Sequence, residues 1–431
     1  MKFFLAILIA FVTSNALAQP APEWFVYPGT PVTSRFEDVF FINDTIGWAV
    51  NGGGQIYKTE NGSKNWLLKK DYDDYLRSVE FFDENIGFSG SLFGNLYKTA
   101  DGGTTWSNIT AILPVAFDGI CGMSVADDST IYICGVWHGP AYIFKSFDRG
   151  LTWEYIDMSA FANDLVDIKF IDKMHGFATG TDANTDLGGV ILYTADGGIT
   201  WESKMNSNYP YEYVWKIQIL DSLNMYGSIE DNTATNDARI TVSHDGGMTW
   251  DLKTLSEDYY NIEMIGFMNV DTGWVGGWFE GAFETFDGGD TWNFNYFGNN
   301  LNRFFKLHDN LAYASGETIY VYTDSAYIVP VDTITDTTTT TIPIIQIPHA
   351  ILDVFPNPSE NIVSVSYYID RFTFIDLSIF DINGRKIYNF YHDKIEAGKY
   401  ISTFEHVVSP GEYVISMHSH EGLLWKKFVV H

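Results

Sequence analysis

Cysteine is nearly absent from this chain of 431 residues: there are two, Cys121 and Cys134. Two are too few for a disulfide scaffold or a cysteine-rich metal site. Positive charge is scarce as well, 25 Lys and Arg against 55 Asp and Glu, giving a net charge of −30 and a sequence pI near 4.4. So acidic a surface repels phosphate backbones and anionic lipid heads, which argues against nucleic acid or peripheral membrane partners. Long apolar runs are missing too. The chain opens on one from Phe3 to Val12, behind Met1-Lys2, and this is only about half of the ~20 residues that span a bilayer. Followed by the small-x-small stretch Ala16-Leu17-Ala18, it reads as a secretory signal peptide over residues 1–18, cut before Gln19. No later stretch is long enough to be a transmembrane segment.

The two cysteines lie in neighbouring apolar segments, residues 119–123 and 131–135, with a turn-like stretch between them. Paired as a hairpin, they would sit nearly opposite each other. In an oxidising compartment that permits a disulfide, the alternative being two buried thiols.

Aromatic residues are abundant at 16 % (13 Trp, 26 Tyr, 32 Phe), with 38 Gly and 46 % hydrophobic residues overall. That mixture suits β-structure and excludes a disordered chain. Much of it is organised by one recurring octapeptide, Ser/Thr-x-Asp-x-Gly-x-Thr-Trp. It runs from Thr99 to Trp106, Ser146 to Trp153, Thr194 to Trp201, Ser243 to Trp250 and Thr285 to Trp292, with a weaker copy from Thr59 to Trp66. Its tryptophans are spaced 40, 47, 48, 49 and 42 residues apart. A second motif, Gly-Trp or Gly-Phe, precedes most copies, as at Gly47-Trp48, Gly87-Phe88, Gly176-Phe177 and Gly273-Trp274. Repeats of 40–50 residues built from four short strands predict propeller blades.

The ends of the repeat region set the number of blades. The residues after Trp24 align with those after Trp66, so Trp24 holds the place of an octapeptide tryptophan without an octapeptide before it. The unit beginning at Leu311 never reaches its own Trp. The first strand of the mature chain is therefore expected to complete the last blade, which removes a free sheet edge. Seven tryptophans, 24, 66, 106, 153, 201, 250 and 292, predict an all-β, seven-bladed β-propeller over 19–329.

The octapeptide resembles the Asp box of BNR-type propellers. Its Asp and Ser/Thr side chains suit capping of a tight turn, its glycines positive φ, and its Trp packing between sheets. Asp101, Asp148, Asp196, Asp245 and Asp287, with Trp106, Trp153, Trp201, Trp250 and Trp292, are accordingly read as architectural, since one role repeated in every blade is architecture. The resemblance implies that the boxes lie opposite the usual binding face. Taken whole, the repeat region is similar to the photosystem II assembly and stability factor type of single seven-bladed ring, a family that works by binding proteins.

On the other face, the segments leading into each new blade interleave acids and aromatics. Tyr72, Tyr75, Tyr211, Tyr213, Trp215 and Tyr259 are the candidate ligand contacts, because rings stack on sugar faces while carboxylates accept from hydroxyls. The plainer alternative is a set of solvated acidic loops. Two insertions, 181–186 and 230–237, carry oxygen ligands without the spacing of a calcium loop, so neither a metal nor another cofactor is expected. Catalytic motifs are missing: Arg35 is followed by Phe-Glu rather than the Ile-Pro of sialidases, and no metalloprotease, Gly-x-Ser-x-Gly or phosphate-loop pattern occurs. The alternative to an unidentified protein or glycan ligand is a glycoside hydrolase using two carboxylates among Asp73, Asp74, Asp118 and Asp167.

The end of the chain supplies an address. Seven of the nine residues 333–341 are Thr, and 330–349 reads as an extended linker. From residue 350 come short strands carrying Phe355-Pro-Asn-Pro, Asp381-Ile-Asn-Gly-Arg, Gly411-Glu-Tyr and Lys426-Lys-Phe-Val-Val. In that order these resemble the type A C-terminal sorting domain of the type IX secretion system, which implies a small Ig-like β-sandwich over 350–431, recognition by the secretion machinery, and delivery through the periplasm to the outer-membrane surface or the medium.

Overall fold

The computed structural model describes residues 23–323, apart from 28, 136–139 and 234–235, together with 352–355, 357, 362–369, 373–381, 386–396, 398–405, 410–419 and 422–430. The expected signal peptide and Thr-rich linker lie outside the described residues. Two compact units result, one spanning 23–323 and the other following it.

The first unit is a ring of seven four-stranded antiparallel sheets. In six of them the strands follow one another from the axis outward, with innermost strands Phe36–Phe41, Leu76–Phe81, Gly122–Val125, Ala162–Phe170, Glu212–Ile219 and Ile262–Phe267. The seventh blade takes Arg303–His308, Leu311–Ser315 and Ile319–Thr323 from the end of the unit and Glu23–Phe25 from its start. Trp24 pairs with Tyr322 in that closing ladder, stacks on Phe297 at 4.1 Å and meets Trp274 edge-on at 5.4 Å. The ring therefore closes where the alignment of the two chain ends placed the closure.

Aromatic contacts between blades explain both repeated motifs. Each octapeptide Trp lies between its own blade and a neighbour: Trp106 shares a core with Trp48 and Val50 of blade 1 and with Phe81 of blade 2, and its indole N–H donates back to the Gly103 carbonyl at 3.1 Å. In the Gly-Trp pairs the aromatic stacks on the next blade's inner strand, as Trp48 does on Phe81 at 3.6 Å, whereas Phe88 and Phe177 of the Gly-Phe pairs meet the octapeptide Trp153 and Trp250 edge-on. The glycine is needed because the last Phe of its own blade's inner strand lies across it: a Cβ at Gly47 would stand 2.5 Å from the Phe41 ring.

Within each turn the Asp acts as a cap. Asp101 accepts from the Thr105 amide (2.8 Å), the Thr105 hydroxyl (2.6 Å) and the Thr99 hydroxyl (2.9 Å), while Thr99 in turn accepts from the Gly103 amide (2.9 Å). Asp148, Asp196, Asp245 and Asp287 repeat the arrangement. Hydroxyl and amide donors pull these last four carboxyls down to about 2.

Cys121 and Cys134 are neighbours, the Cys121 amide donating to the Cys134 carbonyl at 2.8 Å. The disulfide is not formed: both are buried thiols. Their side chains enter different layers, Cys121 beside Val166, Tyr213 and Trp215, Cys134 beside Tyr132, Ala141 and Ile143.

The second unit holds a three-stranded sheet (Leu352–Phe355, Ile362–Ile369, Gly398–Glu405) and a four-stranded one (Lys386–Ile395, Thr373–Asp381, Gly411–Ser419, Gly422–Val430). Val363, Val365 and Tyr367 of the first meet Leu377, Ile379, Ile415 and Phe428 of the second in a single core. Asn357, from the Pro-Asn-Pro motif, holds the last strand by its backbone: its amide donates to the Lys427 carbonyl (3.3 Å) and its oxygen accepts from the Val429 amide (3.0 Å).

Candidate binding face at the propeller axis

In a four-stranded meander, the connections between strands one and two and between three and four emerge at one end of the blade. The octapeptide turns accordingly dock on their own blade's first hairpin, as in Gly62 N–H to Thr45 O (3.0 Å) and Gly197 N–H to Met174 O (2.8 Å). The inter-blade segments occupy the opposite face, so the acid–aromatic loops and the capped turns are on different ends of the ring.

A β-bulge recurs on the inner strands of blades 1, 2, 4, 5 and 6, and the residue it expels from the ladder is Glu37, Arg77, Val166, Trp215 and Glu263 respectively. Bulges re-aim side chains, and here they deliver an ionic cluster to the axis. Arg77 of blade 2 pairs with Glu37 and reaches Glu263 of blade 6 at 3.8 Å, while Arg35 pairs with Glu263 and lies 3.7 Å from Glu37. One residue deeper, Arg303 of blade 7 forms a two-pronged bond to Asp167 of blade 4 (2.9 and 3.0 Å) and contacts Asp38 at 3.1 Å. The axis is thus crossed by ion pairs between distant blades.

Electrostatics sorts these groups. Burial opposes the charge on Glu37 and Asp167, but Arg77 and Arg35 outweigh it at the first and Arg303 and Lys216 at the second, so both carboxyls titrate below their ordinary range. Lys216 fares worse: burial, then Arg303 and Arg77, bring its ammonium down to about 7, and its Nζ has no hydrogen-bond partner. Burial also raises Glu230 to about 7.

Of the proposed hydrolytic acids, Asp167 is spent on Arg303, and Asp74 accepts from the Tyr75 amide (2.7 Å), Asn95 (3.0 Å), the Tyr97 hydroxyl (2.7 Å) and Ser91. Asp73 and Asp118 are exposed on their loops. Of the aromatic candidates, Tyr75 donates to Glu37 at 2.6 Å, Trp215 lies under Arg77 at 5.0 Å, and Tyr213 is buried with its hydroxyl 3.4 Å from Asp164. Tyr211 and Tyr259 are open to solvent, 61 % and 38 % exposed. Tyr211 also holds a positive φ of 66°, an uncommon backbone state for a bulky side chain. Tyr72 instead stacks on Tyr97 at 4.1 Å, between blades 1 and 2.

Sequence reasoning missed Trp278, whose exposed ring carries the Arg35 guanidinium at 3.8 Å while its N–H donates to Glu263 at 3.0 Å. It also missed the arginines. Only seven occur in the chain, and Arg35, Arg77, Arg239 and Arg303 are all buried. Scarcity was the available signal. Among the described residues, no cluster of three or more His, Cys, Asp or Glu could hold a metal, and no helix is long and apolar enough to cross a membrane.

Residues 353–431 match the secretion system C-terminal sorting domain family. That segment marks the protein for export by type IX secretion to the cell surface or the medium. Compared with the curated proteins, the chain matches none. Among solved structures it is similar to YCF48 from Cyanidioschyzon merolae (16 % identity, TM-score 0.54, 70 % of this chain and 98 % of that one) and to YCF48 bound to D1 peptide (16 %, 0.54, 70 % and 96 %). It is also similar to the WD40 β-propeller domain of Doa1 (11 %, 0.52, 70 % and 97 %). These likenesses establish the propeller fold.

Proposed function

We propose that this is a non-catalytic binding protein of the cell surface, whose propeller presents the loop face around its axis to a protein or glycan. The observation that carries the reading is the collar of exposed rings, Tyr211, Tyr259 and Trp278, around an axis that ion pairs have closed. Rings held over a rigid floor bind at low entropic cost. YCF48, of the same fold, has been seen with a bound peptide, which supports a polypeptide ligand. We further read residues 1–18 as the export signal, 19–329 as the binding domain with Asp-box turns on its far face, 330–349 as a spacer, and 350–431 as an Ig-like domain engaged by the secretion machinery. A retaining or inverting hydrolase needs two available carboxyls ~5–10 Å apart, and Asp74 and Asp167 are already committed. Screening the mature protein against peptide and glycan arrays, with product detection, tests the reading. Retention of a ligand without turnover is expected, and release of sugar products would overturn it.

A further inference from the structure

Nearly every buried charge at the axis has a counter-charge. Arg35 and Arg77 answer Glu37 and Glu263, Arg303 and Lys216 answer Asp38 and Asp167, and Lys169 lies 3.8 Å from Glu80. Further out, Arg239 pairs with Glu212. Glu230 belongs to none of these pairs, although Arg77, Arg35 and Lys216 act on it from a distance. It is the penultimate residue of the second strand of blade 5, opposite Tyr213, is 5 % exposed, and has an Oε2 with no hydrogen-bond partner. Asn261 hydrogen-bonds this carboxyl, and its own Oδ1 is likewise unpartnered. Two buried acceptors side by side, both unfilled, call for a group that only donates. An ammonium or a guanidinium is such a group, whereas a sugar hydroxyl also brings lone pairs that need donors. Cations are what the loops of this face lack: they contain no lysine among the described residues, and their single arginine, Arg35, is turned inward.

We propose that the axial mouth takes one lysine or arginine side chain of a partner polypeptide, with Glu230 and Asn261 as its acceptors and Tyr259 beside it. This rests on the binding role argued above and specifies its ligand. The Tyr259 ring, half open to solvent and within the field of Glu230, adds a cation–π surface. The groups facing the carboxyl are Arg77, Arg35, Lys216, Asn261, Tyr213 and Tyr259. Because Glu230 and Lys216 both titrate near 7, acidification neutralises the counter-ion while charging a neighbouring ammonium. Both changes weaken cation binding.

The test is calorimetric titration of the full mature chain with a hexalysine peptide, and with maltohexaose, at low ionic strength. Hexalysine is expected to bind one to one, with affinity falling by about tenfold for each pH unit below 7. Glu230→Gln should lose at least about tenfold, and Tyr259→Ala about threefold. Asp186→Asn, an equal charge change on an exposed loop of blade 4 on the same face, should change affinity by less than about twofold. The pH profile of the unsubstituted protein decides the matter even if Glu230→Gln folds poorly. Failure of hexalysine to bind, pH-independent binding, equal losses in Glu230→Gln and Asp186→Asn, or a preference for maltohexaose would each overturn the proposal. Those results leave the broader binding role standing if another ligand is still retained on the loop face; the broader role fails only if none is.

Discussion

Replacing Trp24 by Ala probes the ring closure at its weakest point. The strand that closes blade 7 has three residues, and its ladder contains three pairs, Glu23–Thr323, Trp24–Tyr322 and Phe25–Val321. So short a strand owes most of its hold to side chains. Trp24 stacks on Phe297 and touches Trp274, Phe304 and Tyr322 within 6.0 Å, so its removal strips one ring from a five-ring cluster. Truncating a buried Trp costs about 3–5 kcal/mol. Trp24 is only partly buried, which places the expected loss at the lower end, about 3 kcal/mol. For a domain of this size that corresponds to a fall in melting temperature of roughly 6 °C. Urea and thermal unfolding, followed by tryptophan fluorescence in a chain ending at residue 349, would measure it. Starting the same chain at residue 28, which removes the whole strand, should cost more and make the transition less cooperative. A loss below about 1 kcal/mol on Trp24→Ala, or equal melting of the truncated chain, would refute the closure as a source of stability.

Three other outcomes follow from the same contacts. Arg303→Met should cost about 3–5 kcal/mol, because it leaves Asp167 and Asp38 buried without their shared cation; chemical denaturation reads this directly, and a neutral effect would contradict the cross-axis network. The octapeptide aspartates Asp148, Asp196, Asp245 and Asp287 have folded-state values lowered to about 2 from an ordinary 3.8, so their contribution is complete above the ordinary value and is lost as pH falls toward 2. Melting temperature should decline through that window, and a combined Asp→Asn variant should flatten the decline. Deleting residues 350–431 should leave the propeller folded but held in the periplasm of a type IX-competent host, as shown by fractionation; normal surface or medium levels would contradict the sorting role of the tail.

The ring was legible because its determinants are local and repeated. An octapeptide that caps its own turn must keep its Asp, Gly and Trp at fixed offsets, so seven tryptophans could be counted directly, and the unmatched chain ends revealed the shared blade. The axis was not legible in this way. Arg303 and Asp167 stand 136 residues apart, and nothing in either neighbourhood marks the pairing. Asp74 and Asp167 looked like loop acids because they follow a tryptophan in sequence, yet Asp74 is buried in its bend under four donors, and the bulged inner strand of blade 4 carries Asp167 inward to Arg303. Glu230 was read as the start of an insertion and instead lies within a buried strand that runs on to Asp231. The cysteine hairpin was correctly adjacent, but a one-residue offset sends the two side chains into different layers, because neighbouring positions on a strand alternate faces.

The central claim is that ligand meets the loop face and not the face of capped turns. Photo-crosslinking residues placed singly at Tyr211 and at Ile199, 61 % and 82 % exposed on opposite ends of the ring, test it in producing cells. The account predicts a discrete adduct from position 211 and none from position 199. An adduct confined to position 199 would contradict it.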